Sequence, residues 1–396
     1  MNASAALITD PTAVFGYIAA VAGLIFWAST LPRFRKLFAL TPPVIYAYFV
    51  PTISAAVGII PGDSLVYGWM TRYLLLVALI LLMLSVDVKS ILRLGPMALF
   101  MVVAGSVGIV LGAVVSFLLF GAFLPEESWK AFAALSGSWI GGTANMVAIA
   151  ESVGTPDALM GPIIVIDTVV GYGWMGLLLF FSAFQHRFDA SINAHTEKIE
   201  ETNRRLATVA EHRHPLTTAT SVIIVGIGFG SAILAAVIGD RLPALGDPTI
   251  ISHTTWAVLI VVTGGLALSF TPVSRLEEYG ASRFGYTALY LLLGAIGAQA
   301  NLRAVIEAPA FLAAGVVWIG VHALVLLAAA RIVRAPLFFF ATASMANIGG
   351  VASAPIVAGV YHRAMAPVGL LMAVVGYVLG IYGALGAAWI LGVIGG

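Results

Sequence analysis

The sequence predicts an all-α polytopic membrane protein built of two inverted repeats of about five transmembrane helices, each with one discontinuous or re-entrant segment. Three observations carry that expectation. The chain of 396 residues is 61% hydrophobic and 9% charged, against about 25% charged in an ordinary soluble domain, and its mean hydropathy is +1.04. Two apolar stretches, Ser136–Ser152 (SGSWIGGTANMVAIAES) and Ser344–Pro355 (SMANIGGVASAP), hold glycine pairs and hydrogen-bonding side chains. A plain spanning helix gains nothing from either in lipid. Lys and Arg sort to one side of a membrane when those two stretches enter and leave on the same face.

Apolar runs of about 18 residues or more recur from end to end, whereas a β-barrel would alternate over short strands. In order, the candidate membrane segments are 13–31, 43–60, 68–86, 96–121, 131–155, 159–184, 217–239, 252–271, 285–301, 308–331, 336–357 and 365–392. The first follows MNASAALITDP, which lacks the basic region of a cleavable signal peptide, so it is expected to be retained. The one long polar stretch, 185–216, separates six hydrophobic segments from six. The expected organisation is an N-terminal membrane repeat over 1–184, a polar linker over 185–216 and a C-terminal membrane repeat over 217–396.

Short matches relate the halves. Tyr73–Leu76 returns at Tyr290–Leu293, Ile140–Gly142 at Ile348–Gly350, and Val169–Tyr172 at Val374–Tyr377, at separations of 217, 208 and 205 residues. Pro162 and Pro367 share the last spacing. Four matches in one order point to an internal duplication.

Orientation follows from the basic residues. If all twelve segments cross and the N-terminus is outside, 8 of the 19 Lys and Arg residues face the cytoplasm, and flipping the chain gives 11. If 131–155 and 336–357 do not cross, fifteen are cytoplasmic and only Arg72, Lys130, Arg241 and Arg303 lie outside. Each half then has five crossings, the second half is inverted, both termini are outside and loop 185–216 is cytoplasmic. A competing arrangement lets the broken stretches cross and demotes another segment per half, such as 43–60 with its internal Pro51; inversion survives there too. Within the linker, Ile192, Ile199 and Leu206 fall seven apart with Val209 continuing the seam. That spacing suits an amphipathic helix on the membrane or against a second protomer; a solvated linker is the plainer reading.

Several function classes are set aside. A net charge of +1 argues against a nucleic-acid partner, and the absence of cysteine excludes disulfides, thiolate metal sites and Cys nucleophiles. Ser138 sits in GSWIG, not in a G-x-S-x-G elbow, and no Walker loop or dinucleotide fingerprint occurs. No enzyme and no cofactor is expected.

A helix break at Gly141–Gly142 or Gly349–Gly350 exposes N–H and C=O groups that protein, water or a ligand must satisfy. The N-terminus of the resuming half-helix suits an anionic group, while carbonyls and hydroxyls at the break suit a small cation. Close helix packing explains one such stretch equally well; a second copy in the other half favours a site. Asp167, inside the apolar run MGPIIVIDTVVGYGWMG, is a functional-site candidate by its cost alone. The repeat alignment places Met372 opposite it, so an ion site here is asymmetric. Glu151 is read as a vestibule carboxylate, and Asp87, Gln299 and Asn301 as interfacial. His322 is read as a neutral histidine bonded to a neighbouring helix, with proton relay as the alternative.

SGSWIGGTANMVAIAES, GPIIVIDTVVGYGWMG and ASMANIGGVASAPIVAGVYH together resemble the YjcL-like family of membrane proteins of unknown function. That family is similar to the wider cation/proton antiporter and anion transporter superfamily, which includes sodium–glutamate and bile-acid–sodium symporters. The resemblance implies a mobile core with two discontinuous helices, a scaffold that forms a homodimer, and elevator-type alternating access. It places Gly141–Asn145 and Ile348–Ser353 at the breaks and implies no particular substrate. The paired acidic residues of the proton antiporters are absent, which favours Na⁺ over H⁺.

The expected function is an ion-coupled symporter in the bacterial plasma membrane, carrying a small organic solute, anionic where half-helix N-termini receive it. Ser136, Ser138, Gly141, Gly142, Ser344, Asn347, Gly349, Gly350 and Ser353 are the candidate solute-binding residues. Thr143, Asn145, Asp167 and Thr168 are the candidate ligands of the coupling cation. A receptor or scaffold that keeps a transporter fold without moving solute, or a passive channel, is the alternative.

Overall fold

The computed structural model describes residues 6–40, 43–87, 91–92, 94–206, 214–246, 251–299, 308–362 and 365–395. The first half contains α1 (Pro11–Thr30), α2 (Pro43–Ala56), α3 (Leu65–Leu84), α4 (Pro96–Phe120), α5 (Ser128–Gly141), α6 (Thr143–Val153) and α7 (Asp157–Phe181). Two short helices follow in the linker, α8 (Gln185–Ile192) and α9 (Glu197–Leu206). The second half contains α10 (Thr218–Gly239), α11 (His253–Leu268), α12 (Ala281–Gln299), α13 (Ala308–Val333), α14 (Leu337–Ile348), α15 (Gly350–Tyr361) and α16 (Ala366–Gly395). Among the described residues seven helices are long and apolar enough to cross a membrane, and an eighth is reached if α11 is joined to the turn bent 94° from it. The protein is an all-α polytopic membrane protein.

Local chemistry sets the ends of these helices. Asp10 accepts from Ala13 N at 2.8 Å ahead of Pro11, and capping boxes at Thr217/Thr220 and Ser252/Thr255 open α10 and α11. The candidate segments 131–155 and 336–357 are each two helices: α5 stops at Gly141 and α6 starts at Thr143, while α14 stops at Ile348 and α15 starts at Gly350. Both halves place a long helix, a broken pair and another long helix in the same order. The sequence matches fall on equivalent elements: Tyr73 and Tyr290 on α3 and α12, Tyr172 and Tyr377 on α7 and α16.

The helices form two groups. In one, α4 packs on α13 and the broken pairs α5–α6 and α14–α15 pack on α16; in the other, α3 packs on α12, with α1, α2, α10 and α11 around them. Small residues let α4 and α13 approach closely. A Cβ on Gly112 would lie 2.4 Å from Trp318 Cδ1, and one on Gly108 would lie 3.2 Å from the His322 backbone. Trp318 Nε1 donates to the Ile109 carbonyl at 2.7 Å and Ser116 Oγ to the Ala314 carbonyl at 2.7 Å. Bonds of this kind contribute about 0.6 kcal/mol each on average in a membrane; packing supplies the rest.

The linker is docked onto the broken-helix group. Asp189 of α8 is buried, and its Oδ1 accepts from Leu337 N, the first N–H of α14, at 2.8 Å. Residue 336 is proline and offers α14 no side-chain acceptor. His195 N donates to the Arg334 carbonyl at 2.9 Å, which fastens the same corner. Ile199 is buried and Ile192 partly buried; Leu206 and Val209, which continue the apolar seam, lie outside the residues whose side chains are described. At the far end of the linker, His214 N donates to the Glu278 carbonyl at 2.9 Å and its ring stacks on Tyr279.

Because α14 has no acceptor of its own at its start, Asp189→Ala should lower the stability of the protein by about 1–2 kcal/mol. Asp189→Asn, which keeps an acceptor oxygen, should lower it by less. Unfolding of purified protein in detergent measures both, and equal loss in the two variants would contradict the cap.

Candidate functional site

Each break is written in the backbone. Gly142 has φ 86° and ψ 176°, a conformation that L side chains rarely adopt. Its N–H closes α5 on the Ser138 carbonyl at 2.6 Å, and its carbonyl accepts from Asn145 N at 3.0 Å to open α6. In the second copy Gly349 N closes α14 on the Met345 carbonyl at 2.8 Å, and Gly350 takes φ 57°.

Both breaks open on one cavity of about 350 Å³. Its wall holds Gly142, Thr143 and Ala144 from the first break and Gly349, Gly350 and Val351 from the second. Ser138 of α5, Asp167, Thr168, Gly171 and Tyr172 of α7, Met345 and Ile348 of α14, Ser353 of α15 and Tyr377 of α16 complete one side. Pro43 and Ile45 of α2 and Tyr286, Leu289 and Tyr290 of α12 face them from the other helix group. The cavity therefore lies between the two groups. Since α6 and α15 begin at its wall, their first N–H groups lie there without carbonyl partners in their own helices.

Asp167 carries the only carboxylate among the described residues of this wall, and no Lys, Arg or His lines it. Its Oδ1 accepts from Ser138 Oγ at 3.0 Å. The Tyr286 and Tyr377 hydroxyls bond each other at 2.7 Å, and the Tyr286 and Tyr290 rings stack with centroids 6.1 Å apart. Met372, the repeat partner of Asp167, is buried in α16.

Of the thirteen residues singled out from sequence, Ser138, Gly142, Thr143, Asp167, Thr168, Gly349, Gly350 and Ser353 come together on this wall. The other five lie behind it. Ser136 Oγ is turned back onto the Phe132 carbonyl at 2.9 Å. Asn145 Nδ2 donates to the Tyr377 carbonyl at 3.2 Å, and its amide fills the space beside Gly141 and Gly380. Asn347 Nδ2 donates to Ser106 Oγ at 2.9 Å. Ser344 belongs to a relay of bonds: Trp174 Nε1 donates to Ser344 Oγ at 2.8 Å, and Ser344 lies 2.9 Å from His322 Nε2. His322 Nδ1 lies 3.0 Å from the Gly105 carbonyl. A carbonyl only accepts, so Nδ1 carries a proton, and in the neutral imidazole Nε2 then accepts from Ser344 Oγ.

The four tyrosines of the wall were not among the residues singled out. Tyr172, Tyr290 and Tyr377 fall inside the tetrapeptides that relate the two halves, and that repetition was the signal available. A second cavity of about 390 Å³ lies at the far end of α6, where Glu151, Asp157, His253 and Gln299 face the Arg72–Asp240 ion pair. Asn301 lies outside the described residues.

A family model described as "Protein of unknown function (DUF819)" matches residues 16–393 of the chain. Over 339 residues the chain is 26% identical to the uncharacterized membrane protein YjcL of Bacillus subtilis (strain 168), an alignment covering 82% of this chain and 84% of that protein. With the apolar helices already described, this establishes an integral membrane protein.

The Asn145 amide fixes where α16 can run. A Cβ on Gly380 would lie 1.9 Å from Asn145 Nδ2 and 3.0 Å from Gly141 Cα, whereas one on Gly386 of the same helix meets nothing within 4 Å. Gly380→Ala should therefore cost about 1–3 kcal/mol, and Gly386→Ala should be neutral or stabilising by up to about 1 kcal/mol. Thermal unfolding in detergent compares them; equal melting temperatures would show that Asn145 is not held at Gly380.

Proposed function

The chain belongs to the DUF819 family of proteins of unknown function, and from the geometry of its cavity we propose that it is an ion-coupled secondary active transporter for a small organic solute. One observation carries this reading: two helix breaks from opposite halves and a membrane-embedded carboxylate share one cavity of about 350 Å³. Irregular backbone at membrane depth is tolerated where it lines such a cavity, and paired discontinuous helices are the arrangement in which transporters hold solute and ion. Asp167 is the group to which a coupling cation, Na⁺ or H⁺, binds, with Ser138, Thr143 and Thr168 beside it on the wall.

Antiparallel packing of equivalent helices supports an inverted duplication. Along α4 and α13, Gly105 is beside His322, Gly112 beside Trp318 and Ser116 bonds Ala314, so one helix advances as the other retreats. Likewise Gly62, just before α3, lies near the end of α12 at Ala298, and Gly285, near the start of α12, lies against Ala78 and Leu82. A two-fold axis in the membrane plane produces such pairs; a parallel repeat would align them. The division into two helix groups with the cavity between them suits alternating access by movement of one group against the other. On the same reading the protein resides in the bacterial plasma membrane as a homodimer. The distribution of basic residues supports a cytoplasmic loop 185–216 with both termini outside.

A ligand-stabilisation screen of purified protein, run in Na⁺ and in K⁺ over pools of small solutes, should identify a solute whose stabilisation depends on Na⁺ or on pH. Proteoliposomes should then exchange that solute against itself and drive it with the matching ion gradient. Asp167→Asn should weaken the ion dependence at least about tenfold. Binding without counterflow would leave a receptor, flux indifferent to the ion gradient would leave a channel, and unchanged ion dependence in Asp167→Asn would remove the assigned role.

A further inference from the structure

We propose that the transported solute carries a positively charged nitrogen, and that this group and the coupling cation occupy Asp167 in turn, so that the transporter exchanges one for the other. The inference rests on the transporter reading of the same cavity and concerns what the cavity selects.

The charge inventory comes first. Among the described residues, the wall has one carboxylate and no Lys, Arg or His. An anionic solute about 4 Å from Asp167, at an effective dielectric of about 20, would bind about a thousandfold more weakly for that repulsion, against a gain of roughly two- to fivefold from each half-helix N-terminus at the wall. A cationic nitrogen gains by the same interaction.

The ring inventory points the same way. Tyr172, Tyr286, Tyr290 and Tyr377 come from α7, α12 and α16, so they surround the cavity from both helix groups. The Tyr286 and Tyr377 hydroxyls bond each other, so part of their hydrogen-bonding capacity is already taken before an occupant enters. Tyrosine rings around a single carboxylate are the surroundings in which an alkylated ammonium is held, by the attraction of a cation to the ring face within about 6 Å. A volume of about 350 Å³ admits a small solute of this kind.

One carboxylate neutralises one positive charge. With Na⁺ and an ammonium bound together the cavity would hold an uncompensated charge at membrane depth, which is costly. Occupancy is therefore exclusive. The cotransport expected from sequence gives way to exchange: the nitrogen leaves Asp167 on one side and Na⁺ or H⁺ replaces it for the return.

Choline is a suitable probe, set against its tert-butyl alcohol analogue, in which carbon replaces the nitrogen, and against the tert-butyl carboxylate of similar size. Binding to the full chain in detergent is followed by calorimetry in phosphate, because amine buffers would compete. Choline should bind at least about tenfold more tightly than the neutral analogue. Its apparent affinity should fall in proportion as Na⁺ replaces K⁺, or as pH falls from about 8 to 6 if the exchanged ion is H⁺. The other titratable groups of the wall are the four tyrosines, which stay protonated over that range. Asp167→Asn should erase the preference for choline and Asp167→Glu should keep part of it; if neither variant folds, the comparison of the three probes on the unaltered chain still decides.

Equal affinity for choline and the neutral analogue, preference for the carboxylate, choline binding strengthened by Na⁺, or no response to any probe would each overturn the inference. Ion-dependent uptake of the carboxylate would overturn it while sustaining the transporter reading. Choline binding of the expected kind without exchange across a vesicle membrane would sustain the charge selectivity and overturn the transporter reading.

Discussion

A helix that stops inside a membrane leaves backbone groups that lipid cannot satisfy, and the arrangement of this protein follows from enclosing two such stops. The enclosure is a contact of backbone with backbone. A Cβ on Gly376 of α16 would lie 2.3 Å from the Ile140 carbonyl, next to the first break, and one on Gly141 would lie 2.5 Å from the Gly376 carbonyl. Into the remaining space Asn145 inserts its amide and bonds the Tyr377 carbonyl. Asn145 thus works as internal packing that ties α6 to α16, and its contribution to the cavity is to hold in place the helix that supplies Tyr377. Any movement of the break must carry α16 with it.

Much of this was legible in the sequence because the signals were violations. A glycine pair among hydroxyls in an apolar run, repeated in the second half, has few physical explanations, and α5–α6 and α14–α15 are the outcome. Asp167 was legible for the same reason, since a carboxylate at that depth needs a purpose. Hydroxyls and amides near a break are harder to place, because a helix turns about 100° per residue and neighbours face different ways. Ser138 points at Asp167, while Ser136 bonds its own helix. Tyr286 and Tyr290 were hidden by their ordinariness, as tyrosine near the end of a span normally marks the membrane interface; Tyr172 and Tyr377, in mid-span, were read only as part of the repeated tetrapeptide. Asp189 was hidden by distance: nothing local reveals that a polar linker supplies the cap of a helix 148 residues further on.

The two halves share architecture and differ in chemistry. The α4–α13 contact joins equivalent helices, yet its buried polar groups, Ser106, Ser116 and His322, are not matched across it. Asp167 faces the cavity where its counterpart Met372 is buried in α16. The two breaks and their enclosure recur in both halves, while the wall between them holds a single carboxylate among the described residues. A site with two equivalent carboxylates could hold two cations at once; under the proposed reading a single Asp167 balances one positive charge per occupancy.

Dimensions fix where the shared cavity lies between the two ends of the broken pairs. α14 has 12 residues and α6 has 11, so at 1.5 Å per residue each half-helix is roughly 16–18 Å long, about half of a 30 Å hydrocarbon core. α14 begins at the linker, where Asp189 caps it, and ends at the break; α6 begins at the break and ends beside Glu151. The shared cavity is therefore near mid-depth, with Pro43 from the first turn of α2 and Tyr286 from the second turn of α12 on its linker side. The cavity at Glu151 and Asp157 lies beyond α6, where Leu75, Leu76 and Ala257 also line it. What separates the two cavities is one half-helix packed on α3 and α11. On the transporter reading, a displacement that brought Asp167 from one opening toward the other would have to move α7, which carries it, together with α6 and with α16, which Asn145 ties to α6.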